Sequence, residues 1–362
     1  MIKDRDRVSI LDGLRVVAIV MVMFFHYYSR FLETHYTYNF AIPTIFSYGY
    51  LGVELFFIIS GFVISLTLSK CNSFVEFMKK RFIRLIPAMI ICSTVTFGFI
   101  VLFDRNNLFR ESKSIINWVI SNTFISPLLI NTIFPANISY IDGAYWSLWV
   151  EITFYIFAGL LYFLSPQRLI GNFSIVVFTG LAGFFLCISA TGMNLLTPYI
   201  GENFYIALRT FFKIFSFFEY GIWFLIGMVL KQLYYDKTNR KLFIYFSILF
   251  LIQIVLIFNI YTFVFSVSTF ILLLLFVYKP TVIKFLGGKW FSKIGIASYS
   301  IYLLHQNIGV LSINRLSPFF NDFNWIIGLA VFILISLFGV YSYNYLEVPL
   351  GKKLRSVFLK NI

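Results

Sequence analysis

The chain has 362 residues, of which 60% are hydrophobic and 12% charged, against about 25% charged in an ordinary soluble domain. That composition excludes a water-soluble globular fold and points to a lipid bilayer as the main surrounding. The net charge of +14 would suggest nucleic acid in a soluble protein, but the basic residues sit in short segments between apolar runs, so membrane topology accounts for them and no nucleic-acid partner is expected.

Taken in chain order, a charged start (Lys3, Arg5, Arg7) precedes an apolar run from Val16 to Phe25. Asp12 and Arg15 interrupt the approach to it and no small-residue cleavage site follows His26, so a retained first helix is predicted over 9–29 rather than a signal peptide. An external loop holding His35, to which no role is assigned, leads to a second span at 47–68 with Glu54 near its start. The third, at 82–103, opens on Lys79-Lys80-Arg81-Phe82-Ile83-Arg84. The largest external segment follows at about 104–145. Its stretch 114–131 is too polar to span and is expected to be interfacial or re-entrant. Further spans are predicted at 146–164, containing Glu151, and at 172–190, 214–231, 242–259 and 262–279, with a turn near Asn259. The last two are at 294–313, containing His305, and 324–346, which ends by Glu347. The expected fold is an all-α polytopic membrane protein of about ten transmembrane helices: one membrane domain over 1–350 and a short basic tail over 351–362.

Charge tests this count. Alternate connecting segments hold 21 of the 29 basic residues and the other set holds seven, Arg15 lying inside the first span. Such a bias places both termini in the cytoplasm. Cys71, Cys92 and Cys187 are far apart with no metal-ligand spacing, so neither a disulfide framework nor a metal is expected.

Ionisable residues inside a bilayer are functional suspects. Arg15 and His26 lie eleven residues apart, so they share one helix face at about 16 Å separation. Arg15, Arg81 and Arg84 form an expected cationic layer toward the cytoplasm, suited to phosphates. His26, Glu54 and Glu151, with His305, form a titratable layer farther out, suited to general-base chemistry. Position alone also allows a topology signal for Arg81 and Arg84, a structural pair for Asp12 and Arg15, a snorkelling or capping Glu347, and a satisfied core histidine for His305.

Six segments carry a resemblance. They are Ile10-Leu11-Asp12-Gly13-Leu14-Arg15 with Phe25-His26 after it; Gly52-Val53-Glu54-Leu55-Phe56-Phe57 through Ser60-Gly61-Phe62; Arg81-Phe82-Ile83-Arg84 with Pro87; Trp146-Ser147-Leu148-Trp149-Val150-Glu151; Ser298-Tyr299-Ser300-Ile301-Tyr302-Leu303-Leu304-His305; and Glu347-Val348-Pro349. In this order they resemble the acyltransferase-3 family of integral membrane acyltransferases. The resemblance implies an O-acyltransferase of a bacterial inner (cytoplasmic) membrane. Its donor would be acyl-CoA, commonly acetyl-CoA, with no metal. Its acceptor would be a surface glycan or lipid-linked sugar such as O-antigen, capsule or exopolysaccharide. Carried over by residue, it implies His26 and Glu151 as catalytic, with Glu151 or else Glu54 orienting the imidazole, and Arg15, Arg81 and Arg84 as donor-binding. Glu54, Trp146, Ser147, Tyr299 and His305 would contact substrate. The alternative is a transporter or flippase for a lipid-linked glycan, but the internal repeats common in such folds are not visible.

Overall fold

The computed structural model describes residues 8–256 and 259–358. Lys3, Arg5, Arg7 and Lys360 lie outside the described residues. The elements are helical throughout: α1 Ser9–Phe25, α2 Gly52–Leu68, α3 Phe74–Phe103, α4 Ile115–Ser121, α5 Pro127–Ile133, α6 Trp146–Leu164, α7 Leu169–Ile188, α8 Ala190–Ile200, α9 Glu202–Ile214, α10 Phe217–Tyr235, α11 Arg240–Leu256, α12 Ile260–Tyr278, α13 Lys289–Leu316, α14 Ile326–Ser342 and α15 Val348–Phe358.

Eight helical stretches among the described residues are long and apolar enough to cross a membrane. The two remaining expected spans are also present as helices. α11 has 17 residues, the short end of spanning length. α13 has 28, but Lys289, Lys293 and Arg315 lie near its ends and Ser298, Ser300, His305, Gln306 and Asn307 are buried along it. It is polar because it lines the interior. The protein is an all-α polytopic membrane protein. Exposed Leu102, Leu164, Ile175, Val255, Leu334 and Leu337 belong to an apolar outer surface that water would not tolerate and lipid does.

Two connections carry helices of their own. The segment after α7, to which no span is assigned, forms α8 and α9, broken at Gly201, whose φ of +78° is one that glycine adopts at little cost. Their moderate polarity hid them from a search for apolar runs. The stretch 114–131 forms the short helices α4 and α5, and Asn122 beyond α4 is tied to Ser93 of α3 by a 3.0 Å bond.

Lipid gives helices no hydrophobic reason to associate, so small residues that let backbones approach take over. α2 and α10 meet this way. A Cβ at Gly61 would overlap the carbonyl oxygen of Phe224, and one at Gly227 that of Ile58. Gly227→Ala is therefore expected to cost about 1–3 kcal/mol and lower the melting temperature in lipid. Gly98→Ala, where nothing lies within 4 Å of the added atom, is expected to match or exceed wild type.

Candidate active site

The site begins with a distortion. At the end of α1, residues His26–Arg30 form a π-helical turn, a feature common at functional sites. Widening the turn frees carbonyls, and tyrosines take them. Tyr36 donates to the His26 and Tyr27 carbonyls at 3.1 Å, and Tyr38 to that of Tyr27 at 3.0 Å. Tyr27 is fully buried and donates to the His305 carbonyl at 2.8 Å. Gly309 leaves room for its ring. The first helix is thereby locked to α13, with His26 facing His305.

The imidazoles form a chain whose protons follow from its ends. His305 Nδ1 lies 2.6 Å from the Tyr302 carbonyl oxygen. A carbonyl only accepts, so Nδ1 carries the hydrogen and Nε2 the lone pair. That Nε2 lies 3.2 Å from His26 Nδ1, which is also 2.9 Å from the Val22 carbonyl. Both neighbours accept, so His26 carries its hydrogen on Nδ1. Its Nε2 is left with the lone pair, the form a general base needs.

Four cavities stand in series across the bundle. At the end rich in lysine and arginine, a mouth of about 410 Å³ is lined by Asp12, Arg15, Lys70, Arg84 and Tyr299. It shares Arg15, Arg84 and Tyr299 with a narrow waist of about 90 Å³, which adds Arg81, Ser60, Glu151 and Tyr302. Val53 and Tyr302 separate the waist from a chamber of about 460 Å³ holding His26, Arg30, Glu54, Trp146, Glu219 and Gln306. Beyond it lies a cleft of about 640 Å³ under the 104–145 segment.

The three arginines meet as expected. Arg15 pairs with Asp12 at 2.8 Å. Arg81 is 7% exposed, lies over the Phe77 ring and donates to Thr67 Oγ1, yet its Nε and Nη1 are buried without a partner. A buried guanidinium with idle donors is costly unless an anion meets it. The Tyr299 hydroxyl is likewise buried and unpartnered. Tyr302 closes the waist, its hydroxyl 2.8 Å from both Ser147 Oγ and the Ala144 carbonyl.

Glu151 departs from expectation. It does not reach His26, because its Oε1 accepts from Ser60 at 2.8 Å and Tyr155 at 2.5 Å, on the arginine side of Tyr302. Ser60 is six residues beyond Glu54, about 9 Å deeper along α2. The titratable layer therefore splits in two. Glu54 stays with His26, one of its carboxylate oxygens buried and unpartnered, and the neighbour that orients His26 is His305. Trp146 packs on Tyr220 in the wall of the histidine chamber. Glu347 has a structural place: a second π-helical turn, Tyr343–Glu347, turns its carboxylate inward to accept from Ser300 and Ser342 at 2.6 and 2.8 Å.

The family model described as an acyltransferase domain, acyltransferase-3, matches residues 8–345. The chain belongs to the acyltransferase-3 family. Its relatives include an O-acetyl transferase of Shigella phage Sf6, 33% identical over 41% of this chain and 44% of the phage protein. The O-acetyltransferase OatA of Staphylococcus aureus is 26% identical over 95% of this chain and 57% of its own length. This chain thus spans about half the length of these relatives. No solved structure matches it. In this acyltransferase-3 chain, residues from five of the six recognised segments line the mouth, waist and histidine chamber.

Sequence reading passed over Asp142, Gln306 and Tyr302's closing role. Asp142 is fully buried just before α6. Its carboxylate accepts from the Ala144 and Asn307 backbone N–H groups, each at 2.9 Å. Asn307 also donates to Ser112 and to the Ile141 carbonyl, pinning the outer segment to α13. An acid before a glycine at the entrance to a tryptophan-serine element was the available signal. Burial pushes this carboxyl up to about 7, against the two N–H bonds. The folded state then holds the proton more tightly than the unfolded chain, so stability falls as pH rises from about 4 to about 7. In melts between about pH 5 and pH 8, Asp142→Asn is expected to flatten that decline. An unchanged slope would remove Asp142 as its source.

Proposed function

We propose that this protein is an O-acyltransferase of a bacterial cytoplasmic membrane, moving an acetyl group from acetyl-CoA to a hydroxyl of a surface glycan such as O-antigen, capsule or exopolysaccharide. The observation that carries the reading is the serial arrangement: an arginine-lined waist at the basic end and an imidazole pair beyond it, sharing only Val53 and Tyr302. The acetyltransferase names of the relatives support the acyl group. The charge bias supports a cytoplasmic donor side.

In this reading Arg15, Arg81 and Arg84 receive the donor's phosphates, and Arg81's idle donors gain their anion. The pantetheine arm lies along Tyr299 and passes Tyr302, bringing the thioester to His26. His26 Nε2 takes the proton from the acceptor hydroxyl as its oxygen attacks the thioester carbonyl. The C–S bond breaks, and the proton passes to the departing thiolate, giving ester and free CoA. During the step the imidazolium keeps Nδ1–H on two acceptors, the Val22 carbonyl and His305 Nε2, so His305 positions the base and stabilises its cation. Glu151 offsets the arginines' charge when the donor is absent.

In purified protein in lipid, with acetyl-CoA and a glycan acceptor, His26→Ala is expected to reduce thiol release to background. Retained turnover would overturn the base assignment. His305→Ala should lower kcat by tenfold or more, displace its pH profile, and leave the KM for acetyl-CoA within about twofold. Arg81→Ala should weaken acetyl-CoA binding at least tenfold, roughly 1.4 kcal/mol. Unchanged binding would remove the phosphate clamp.

A further inference from the structure

The 640 Å³ cleft on the far side of the histidine chamber has no place in the steps above. It lies between the end of the first helix, the external 104–145 segment and the buried amides of α13. Its size is that of an ordinary small-molecule site. Three residues, Phe31, Gly143 and Gln306, wall both the cleft and the His26 chamber. A Cβ on Gly143 would lie 2.6 Å from Gln306 Nε2, so glycine here lets the Gln306 amide keep its place at the junction.

Rings run from the chemistry into the cleft. Phe31 lies 5.9 Å from the His26 ring, the two planes inclined by 30°. It meets Phe109 edge to face at 6.4 Å, and His35 rests on both phenylalanines. Around these rings stand polar groups: Arg110 and Glu111, whose charges cancel, and the amide of Asn107, while the Asn131 amide braces the Ile138 backbone in the wall. An aromatic face suits a ligand with an apolar C–H surface, and a polar rim of balanced charge suits one edged with neutral hydroxyls. A pyranose ring has both.

We infer that this cleft is the acceptor subsite, binding an uncharged saccharide between Phe109 and the Arg110–Glu111 rim and pointing one hydroxyl past Gln306 toward His26. The inference rests on the acyltransfer reading and adds to it where the acceptor sits and that the sugar unit bound there is uncharged. The Asp142–Asn307–Ser112 cluster holds the cleft's outer wall against α13.

The test uses the whole chain in lipid nanodiscs, acetyl-CoA, and a panel of neutral oligosaccharides of two to four hexose or N-acetylhexosamine units, with ester formation read by mass spectrometry. With a panel member that is acylated, Phe109→Ala and Arg110→Ala are expected to raise the saccharide KM tenfold or more. The KM for acetyl-CoA should stay within about twofold of wild type. An unchanged saccharide KM in both variants would overturn the cleft assignment while leaving acyltransfer standing. Wild-type protein that binds acetyl-CoA but esterifies no saccharide would overturn the saccharide class. Failure to bind acetyl-CoA at all would overturn the underlying reading instead.

Discussion

The candidate site is organised around one hydrogen-bond chain, from the Tyr302 carbonyl through His305 and His26 to the Val22 carbonyl. Because each end of the chain is an acceptor, the tautomer of His26 is decided by the backbone rather than by a carboxylate. Much of the nearby fold serves to hold it. The π-helical turn sets the position of His26, the loop tyrosines satisfy the carbonyls that the turn releases, and Tyr27 crosses to α13 where Gly309 makes room. In a bilayer interior an unpaired polar group is costly, so a site of this kind needs its second layer of hydrogen bonds to exist at all.

The same constraint shapes the arginine side. Arg81 keeps two buried donors idle, a cost the fold carries without an internal benefit. An anionic ligand would repay it, and the nearby Glu151, held by Ser60 and Tyr155, limits the repulsion among three guanidinium groups meanwhile. The waist between the two halves is narrow, and Tyr302 serves both: its carbonyl anchors the imidazole chain and its hydroxyl closes the waist. The arginine-lined waist and the histidine chamber are thus separated by Val53 and Tyr302, and Tyr302 is also part of the support of the imidazole pair.

How much of this was legible in the sequence depended on distance along the chain. Apolar runs gave nearly every long helix, since span length is a local property. The arginine layer was legible because Arg15, Arg81 and Arg84 lie near the ends of their own spans, where depth can be counted. Glu151 was placed beside His26 by the same counting and lies elsewhere, because counting gives depth but neither the rotation of α6 nor the reach to Ser60. The imidazole pair joins residues 279 positions apart, and no periodicity reports such a contact. Asp142 and Gln306 drew no notice because their roles arise from loop packing against α13. α8 and α9 were missed because they are too polar to read as spans.

The central claim is that donor and acceptor meet from opposite sides. The most direct measurement reconstitutes the protein in sealed liposomes, with acetyl-CoA on the side of the basic segments and a saccharide acceptor only on the other. The account predicts acetyl ester on the saccharide, dependent on His26, with all free CoA remaining on the donor side. Ester formed only when donor and acceptor share a compartment, or CoA appearing with the acceptor, would contradict it.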